Sequence, residues 1–230
     1  MMIDLIQRLK GRLVVSCQSF EGEPLYGSNY MVAMAKSAVL GGAGGIRANG
    51  PEDIRAIKET VDLPVIGIYK QQYPGYEVRI TPSAKEVLAI AEAGADIIAV
   101  DATKRPRPGS KDTEEFLQQI RKLTDKPIMA DISTLDEAIM AEQVGFDIVA
   151  TTLSGYTEYT QQFLEEQPNY DLLEQVIRSV SIPVMAEGRF WEPVHVVKAL
   201  AYGAWAVTVG GAITRPHLIT ERFVKYMKVN

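Results

Sequence analysis

Lys70 is the residue of this 230-residue chain whose type and position point most clearly to catalysis. It ends the run LPVIGIYK at residues 63–70, an apolar stretch that predicts a buried strand. A lysine at the far end of such a strand lies close to low-dielectric surroundings, which disfavour its charged form. A neutral amine accepts a proton, so Lys70 is a candidate base for proton transfer.

Two recurring patterns indicate which elements position Lys70. A glycine that ends a helix before a strand recurs at Gly42, Gly94, Gly145 and Gly203. A proline that opens a strand recurs at Pro64, Pro127 and Pro183. The two patterns interleave and predict strands at about 12–17, 44–48, 65–69, 96–101, 127–131, 147–151, 183–186 and 205–209. Helical patterns lie between them, at 51–60, 83–93, 113–123, 135–144, 171–180 and 193–202.

Apolar strands that alternate with helices predict a parallel sheet buried on both faces. Eight such units indicate a (β/α)8 TIM barrel, for which ~250 residues are typical. An amphipathic helix over residues 1–10 precedes the first strand. A doubly wound open sheet is the alternative, but no GxGxxG motif follows the first strand. No linker interrupts the pattern, so we expect one domain over residues 1–230.

Reactive side chains at the ends of the predicted strands are expected to lie close together, because barrel active sites lie at the carboxyl ends of the strands. Lys70 follows strand 3 and Glu187 follows strand 7, so the two lie opposite each other in a ring of eight. A lysine and a carboxylate on opposite sides of one carbon suit inversion, in which one removes a proton and the other returns it. A structural ion pair between them is the alternative.

Glycines follow the last two strands, and they predict an anion site. Gly188 and Arg189 follow strand 7, and Gly210 and Gly211 follow strand 8. In barrels the loops after these strands frequently bind phosphate through backbone N–H groups. We therefore expect a phosphate there, with two ordinary glycine turns as the alternative.

Composition excludes several classes of protein. A net charge of −5 argues against a non-specific nucleic-acid binder. One cysteine, Cys17, and two histidines exclude a disulfide framework and a zinc cluster of the usual kind. The longest run without charged residues, 199–214, is 16 residues long, short of the ~20 that a membrane-spanning helix needs. We expect a cytoplasmic protein.

An ordered set of motifs resembles the N-acetylmannosamine-6-phosphate 2-epimerase family nearly from end to end. The motifs are LVVSCQ (13–18), GIRANG (45–50), PVIGIYK (64–70), ITP (80–82), DATKRPRP (101–108), MADIST (129–134), TTLSGYT (151–157), AEGR (186–189) and VGGAITRP (209–216). The resemblance implies an isomerase of sialic acid catabolism. It would convert N-acetylmannosamine 6-phosphate to N-acetylglucosamine 6-phosphate without a metal ion or a nucleotide cofactor.

The same resemblance implies roles for individual residues. Lys70 is expected to be the catalytic lysine and Glu187 its partner. Contacts with the sugar or its phosphate are expected from Gln18, Arg47, Asp131 and Arg215. The resemblance also implies a homodimer that packs through C-terminal helices, with a small phosphosugar as the other partner.

The expected mechanism leaves two points open. Ring opening must come first, because the C2 proton is acidic only beside an aldehyde, and Asp131 or Glu187 would assist it. Lys70 would remove the proton and Arg47 would stabilise the enediolate, while either Glu187 or Lys70 itself returns a proton. A lysine Schiff-base aldolase or synthase and a non-catalytic sugar-phosphate sensor are the alternative functions.

Overall fold

Eight parallel strands close into a barrel in the computed structural model, which describes residues 2–163 and 166–227. Each strand pairs with its neighbours along the chain, and the last pairs with the first. The strands are β1 (Arg12–Cys17), β2 (Gly45–Asn49), β3 (Val65–Ile68), β4 (Ile97–Asp101), β5 (Ile128–Asp131), β6 (Ile148–Ala150), β7 (Val184–Glu187) and β8 (Ala206–Val209). The predicted (β/α)8 barrel is confirmed, and the open sheet is excluded.

Helices follow the strands and form the outer layer. They are α1 (Met2–Arg8), α2 (Ser28–Leu40), α3 (Pro51–Lys58), α4 (Ala84–Glu92), α5 (Thr113–Ile120), α6 (Leu135–Val144), α7 (Tyr170–Ser179), α8 (Pro193–Ala201), α9 (Gly211–Thr214) and α10 (Pro216–Met227). A short 3-10 helix, Gln161–Phe163, lies before α7. The predicted N-terminal helix is present as α1, and Met1 lies outside the described residues.

Local chemistry explains where these helices begin and end. Ser83 and Thr134 each form a capping box, in which the side chain accepts a backbone N–H and a glutamate three residues later returns the bond. Pro51 opens α3, where its missing N–H costs nothing. Gly145 ends α6 in the left-handed conformation, with φ of 99°.

Alternate strand residues divide into an inner and an outer apolar layer. One buried cluster holds the inward-facing positions, among them Val14, Ile66, Ile68 and Met129, and the other faces the helices. Leu9, which follows α1, is fully buried in the inner cluster. A Cβ at Gly45 would lie 2.7 Å from Leu9 Cδ2, so glycine gives this leucine room at the N-terminal end of the barrel.

The same alternation carries polar side chains inward at the other end. Lys70 stands two residues after the inward-facing Ile68, and Glu187 two residues after the inward-facing Met185. Lys70 also pairs with Ile80 in an isolated antiparallel bridge, which holds the chain beyond β3 against the loop before α4. The fold thus points both side chains into the same end of the barrel.

Candidate active site

A cavity of about 840 Å³ opens at the carboxyl ends of the strands. Eight of the ten predicted site residues line it, namely Gln18, Lys70, Glu187, Gly188, Arg189, Gly210, Gly211 and Arg215. The other two, Arg47 and Asp131, are 1% and 0% exposed and do not line it. The sequence therefore located the cavity, and the structure adds two buried charges close to its wall.

Backbone and side-chain contacts hold Lys70 in place. Its N–H donates to Asn49 Oδ1 at 2.9 Å, and the next residue, Gln71, donates to the carbonyl of Arg79 at 3.0 Å. Burial, followed by the positive charge of Arg47, lowers the pKa of Lys70 to about 8, although the negative charges of Glu187 and Asp131 act in the opposite direction. A substantial fraction of Lys70 is therefore neutral near pH 8.

Arg47 lies between two carboxylates. Its Nη2 and Nη1 donate to Asp131 Oδ2 at 2.5 Å and Oδ1 at 3.1 Å, and Nη1 also donates to Glu187 Oε2 at 2.8 Å. Burial disfavours the charged form of Arg47, but the two carboxylates outweigh it and raise its pKa. Thr152 Oγ1 adds a hydrogen bond to Asp131 Oδ1 at 2.6 Å. Both carboxylate oxygens of Asp131 thus accept hydrogen bonds from protein partners.

Glu187 differs from Asp131 because it reaches the cavity, with its side chain 13% exposed. Burial raises the pKa of Glu187, Arg47 opposes that shift, and the negative charge of Asp131 adds to it. A carboxyl group with a raised pKa retains a proton more readily. Glu187 can therefore donate a proton as well as accept one.

The glycine loops form another side of the cavity. Gly188 and Arg189 both have positive φ, at 110° and 61°. Arg189 donates to the carbonyls of Ser154 at 2.6 Å and Gln167 at 2.9 Å, so its side chain secures the loop after β6. Gly210 precedes α9, and the first N–H groups of a helix have no partner within the helix. These donors suit an anion.

Arg215 and Gln18 already have partners within the protein. Arg215 Nη2 forms an ion pair with Glu23 Oε1, while burial lowers the pKa of Arg215. Gln18 Nε2 donates to Ser16 Oγ at 2.7 Å, and its buried Oε1 has no partner among the residues that the structure describes. That unpaired acceptor is suited to a hydroxyl group of a ligand.

Sequence reasoning missed two residues of the loop between β1 and α2. Phe20 lines the cavity, and Glu23 pairs with Arg215 across 192 positions of sequence. This loop has no periodic pattern, so no local signal pointed to either residue. Asp101 and Arg105 also line the cavity and form an ion pair at 2.5 Å, which the motif at 101–108 did not predict.

Two negative findings apply to the part of the chain that the structure describes. It contains no group of three or more histidine, cysteine, aspartate or glutamate side chains arranged to hold a metal ion. Within residues 2–163 and 166–227, no helix is long and apolar enough to cross a membrane.

The fold and the cavity define a class: a (β/α)8 barrel with a lysine and a carboxylate at the carboxyl ends of its strands. A family model described as "Putative N-acetylmannosamine-6-phosphate epimerase" matches residues 31–229. The chain belongs to this family.

Individual relatives agree with this assignment. A protein of Caldanaerobacter subterraneus subsp. tengcongensis, named "Putative N-acetylmannosamine-6-phosphate 2-epimerase", is 55% identical over 229 residues, which cover 99% of this chain and 96% of the relative. A Clostridioides difficile protein of the same name is 47% identical, with 98% and 100% covered. The solved N-acetylmannosamine-6-phosphate 2-epimerase of Clostridium perfringens superposes with a TM-score of 0.92 at 46% identity, covering 98% of this chain and 96% of that one.

Proposed function

We propose that this protein is an isomerase that inverts C2 of N-acetylmannosamine 6-phosphate to give N-acetylglucosamine 6-phosphate, a step of sialic acid catabolism. The observation that carries the proposal is a partly buried lysine and a carboxyl group that line one cavity in a chain of this family. The pKa of Lys70, about 8, suits a base, and the raised pKa of Glu187 suits an acid.

The proposed chemistry begins with opening of the sugar ring, assisted by Glu187, which lines the cavity. Asp131 is fully buried and does not line the cavity, so it is left out of this step. Neutral Lys70 then takes the C2 proton, the C2–H bond breaks, and its electron pair moves toward the C1 carbonyl oxygen. The product is an enolate, because C2 carries an acetamido group and not a second hydroxyl. Glu187 delivers a proton to the opposite face of C2. The ammonium of Lys70 and the carboxylate of Glu187 then exchange protons with water to restore the starting state. Return of the proton by Lys70 alone is the one-base alternative.

The buried charges support this scheme without entering the cavity. Arg47 carries a fixed positive charge that is hydrogen-bonded to Glu187, so it stabilises negative charge that develops beside that residue. Asp131 holds two nitrogens of the same guanidinium. We infer that Arg47 and Asp131 contribute mainly by orienting Glu187, and that Gln18 contacts a sugar hydroxyl.

The phosphate is proposed to bind between the glycine loops. Backbone N–H groups near Gly188, Gly210 and Gly211, with Arg189 and Arg215 close by, supply the donors.

The test follows N-acetylmannosamine 6-phosphate by proton NMR in deuterated water. The protein is expected to produce N-acetylglucosamine 6-phosphate with deuterium at C2. Lys70→Ala is expected to slow both conversion and C2 exchange by about 10²–10⁴-fold. Lys58→Ala, which lies at the other end of the barrel, serves as the matched control. Exchange at the wild-type rate in Lys70→Ala would remove Lys70 from the role of base.

The same assay separates the alternative functions. Binding of the phosphosugar without conversion or exchange would indicate a sensor. Borohydride trapping of a covalent sugar adduct on Lys70 would indicate a Schiff-base enzyme. Comparing conversion of the phosphorylated and the free sugar would show how far activity depends on the phosphate that the glycine loops are proposed to bind.

We further propose that residues 1–230 form a single domain and that the protein is cytoplasmic. We also propose a homodimer that packs through the last helices. Large apolar side chains on α8 and α10 support the dimer, because Val194, Val197, Phe223 and Met227 are 65–76% exposed. Sedimentation of the wild type and of Phe223→Glu tests it, with a dimer expected for the first and a monomer for the second.

A further inference from the structure

One aromatic ring of the cavity lies close to two of its cationic side chains. The centroid of the Phe20 ring is 5.0 Å from Lys70 Nζ and 5.2 Å from Arg215 Cζ. Phe20 lines the cavity and remains 40% exposed, so it is not a core residue. Both distances fall within the range of cation–π attraction.

The loop holds this ring through one carboxylate. The N–H of Phe20 donates to Glu23 Oε2 at 3.3 Å, and Glu23 Oε1 pairs with Arg215. The N–H of Glu23 also donates to the carbonyl of Phe20 at 3.0 Å. Glu23 therefore links the backbone at Phe20 to Arg215.

This arrangement gives the ring a task at Lys70. A long lysine side chain loses rotamer freedom when it is held in one position, and an ordered ring that contacts the amine favours that position. The ring also covers part of the amine against water. We propose that Phe20 is a positioning residue for Lys70, which holds its amine toward the reacting carbon and shields it from solvent. This inference rests on the proposed role of Lys70 as the base.

The two effects of the ring on Lys70 are opposite in sign, which makes them separable. Exclusion of water disfavours the ammonium and lowers the pKa of Lys70, whereas the π face attracts the ammonium and raises it. The charged groups that act on Lys70 are Arg47 on β2, Asp131 on β5 and Glu187 on β7. None of them is altered by a substitution at Phe20.

Two variants distinguish the effects. Phe20→Leu keeps an apolar cover but removes the π face, so the ascending limb of the pH profile of kcat/KM is expected to move to lower pH by about 0.5 unit. Phe20→Ala admits water, so the limb is expected to move to higher pH, and kcat is expected to fall about tenfold because the amine is less well held. Phe20→Tyr keeps the ring and is expected to stay within about twofold of the wild type.

Tyr26→Leu is the matched control, because Tyr26 lies in the same loop, is 55% exposed and does not line the cavity. The proposal is overturned if the ascending limb of the pH profile stays in place in both Phe20→Leu and Phe20→Ala, with kcat within about twofold of the wild type. It is also overturned if the limb moves to lower pH in Phe20→Ala. Failure of the proposed function is distinct, since it appears in wild-type protein that gives no epimer or in Lys70→Ala that retains C2 exchange.

Discussion

The two ends of the barrel use acidic side chains in different ways. At the N-terminal end, Asp96 and Asp147 each precede a strand and accept a hydrogen bond from the first residue of the neighbouring strand, at 2.8 and 2.7 Å. Each also pairs with a basic residue, Lys58 at 2.7 Å and Arg121 at 2.6 Å. The device is repeated because the glycine and aspartate before β4 and β6 recur in the sequence.

At the carboxyl end, the acids are the last residues of their strands, and Asp131 is fully buried while Glu187 is 13% exposed. Asp131 and Glu187 share one arginine, and Lys70 is close enough to both for their charges to affect its pKa. Partly exposed ion pairs of the first kind contribute ~1 kcal/mol or less, whereas buried charges cost free energy unless every partner is present. The acids of one end therefore secure the strands, while those of the other maintain a charge arrangement that the fold alone does not need.

The largest expected effect separates the two ends by activity. Glu187→Gln removes the proposed proton donor and is expected to lower kcat/KM by about 10²–10⁴-fold. Asp96→Asn is the matched control and is expected to leave kcat/KM within about twofold. Steady-state epimerisation measures both, and C2 exchange without inversion in Glu187→Gln favours two bases. Equal losses in the two variants would contradict the division of roles.

The next effect separates the ends by stability. Arg47→Met leaves two buried carboxylates without their cation and is expected to reduce the free energy of unfolding by about 3–5 kcal/mol. Arg121→Met removes a partner from the more exposed Asp147 and is expected to cost ~1 kcal/mol. Urea unfolding at one pH measures both. A similar cost for the two substitutions would show that burial does not distinguish them.

Much of the fold could be predicted because its signals are local. Glycines that stop helices, prolines that open strands and apolar runs placed every strand close to its observed position. Helix α2 was not predicted, since it begins after Gly27 without a side-chain cap and carries apolar residues around much of its surface. The sequence signals of a helix are its caps and a single apolar face, and α2 shows neither clearly.

The site was predictable in part for a related reason. Counting strands placed Lys70 opposite Glu187, and the alternation of side chains turned both inward. The contacts that decide their chemistry join distant residues: Arg47 meets residues 84 and 140 positions away, and Glu23 meets Arg215. No spacing encodes such pairs, so the sequence suggested Arg47 and Asp131 as substrate contacts without indicating that both are buried.

A third prediction concerns the charge arrangement itself. Lys70 acts as a base when neutral, so kcat/KM is expected to rise with pH through a limb near the Lys70 pKa of about 8. Glu187 raises that pKa in its ionised form, so Glu187→Gln is expected to lower the pKa of Lys70. Acetylation of Lys70 as a function of pH, measured by mass spectrometry, reports this without requiring activity. Asp96→Asn should leave it unchanged, and a rise in Glu187→Gln would contradict the assignment.

The smallest effect tests whether Lys70 is retained at a cost to the fold. Its pKa is lowered from 10.5 to about 8, so at pH 7 the folded protein carries a penalty for binding the proton that the unfolded chain does not. Lys70→Met is therefore expected to increase the free energy of unfolding at pH 7 by on the order of 1 kcal/mol. The penalty disappears as pH rises from about 8 to 10.5, so the gain should shrink over that range.

Lys58→Met provides the comparison from the other end of the barrel. Lys58 pairs with Asp96, so its loss is expected to reduce the free energy of unfolding at pH 7 by ~1 kcal/mol or less. Urea unfolding of both variants at pH 7 and pH 10 measures the two opposite signs. If Lys70→Met also destabilises the protein at pH 7, Lys70 is a structural ion-pair partner of Glu187, and the contrast between the two ends of the barrel does not extend to their lysines.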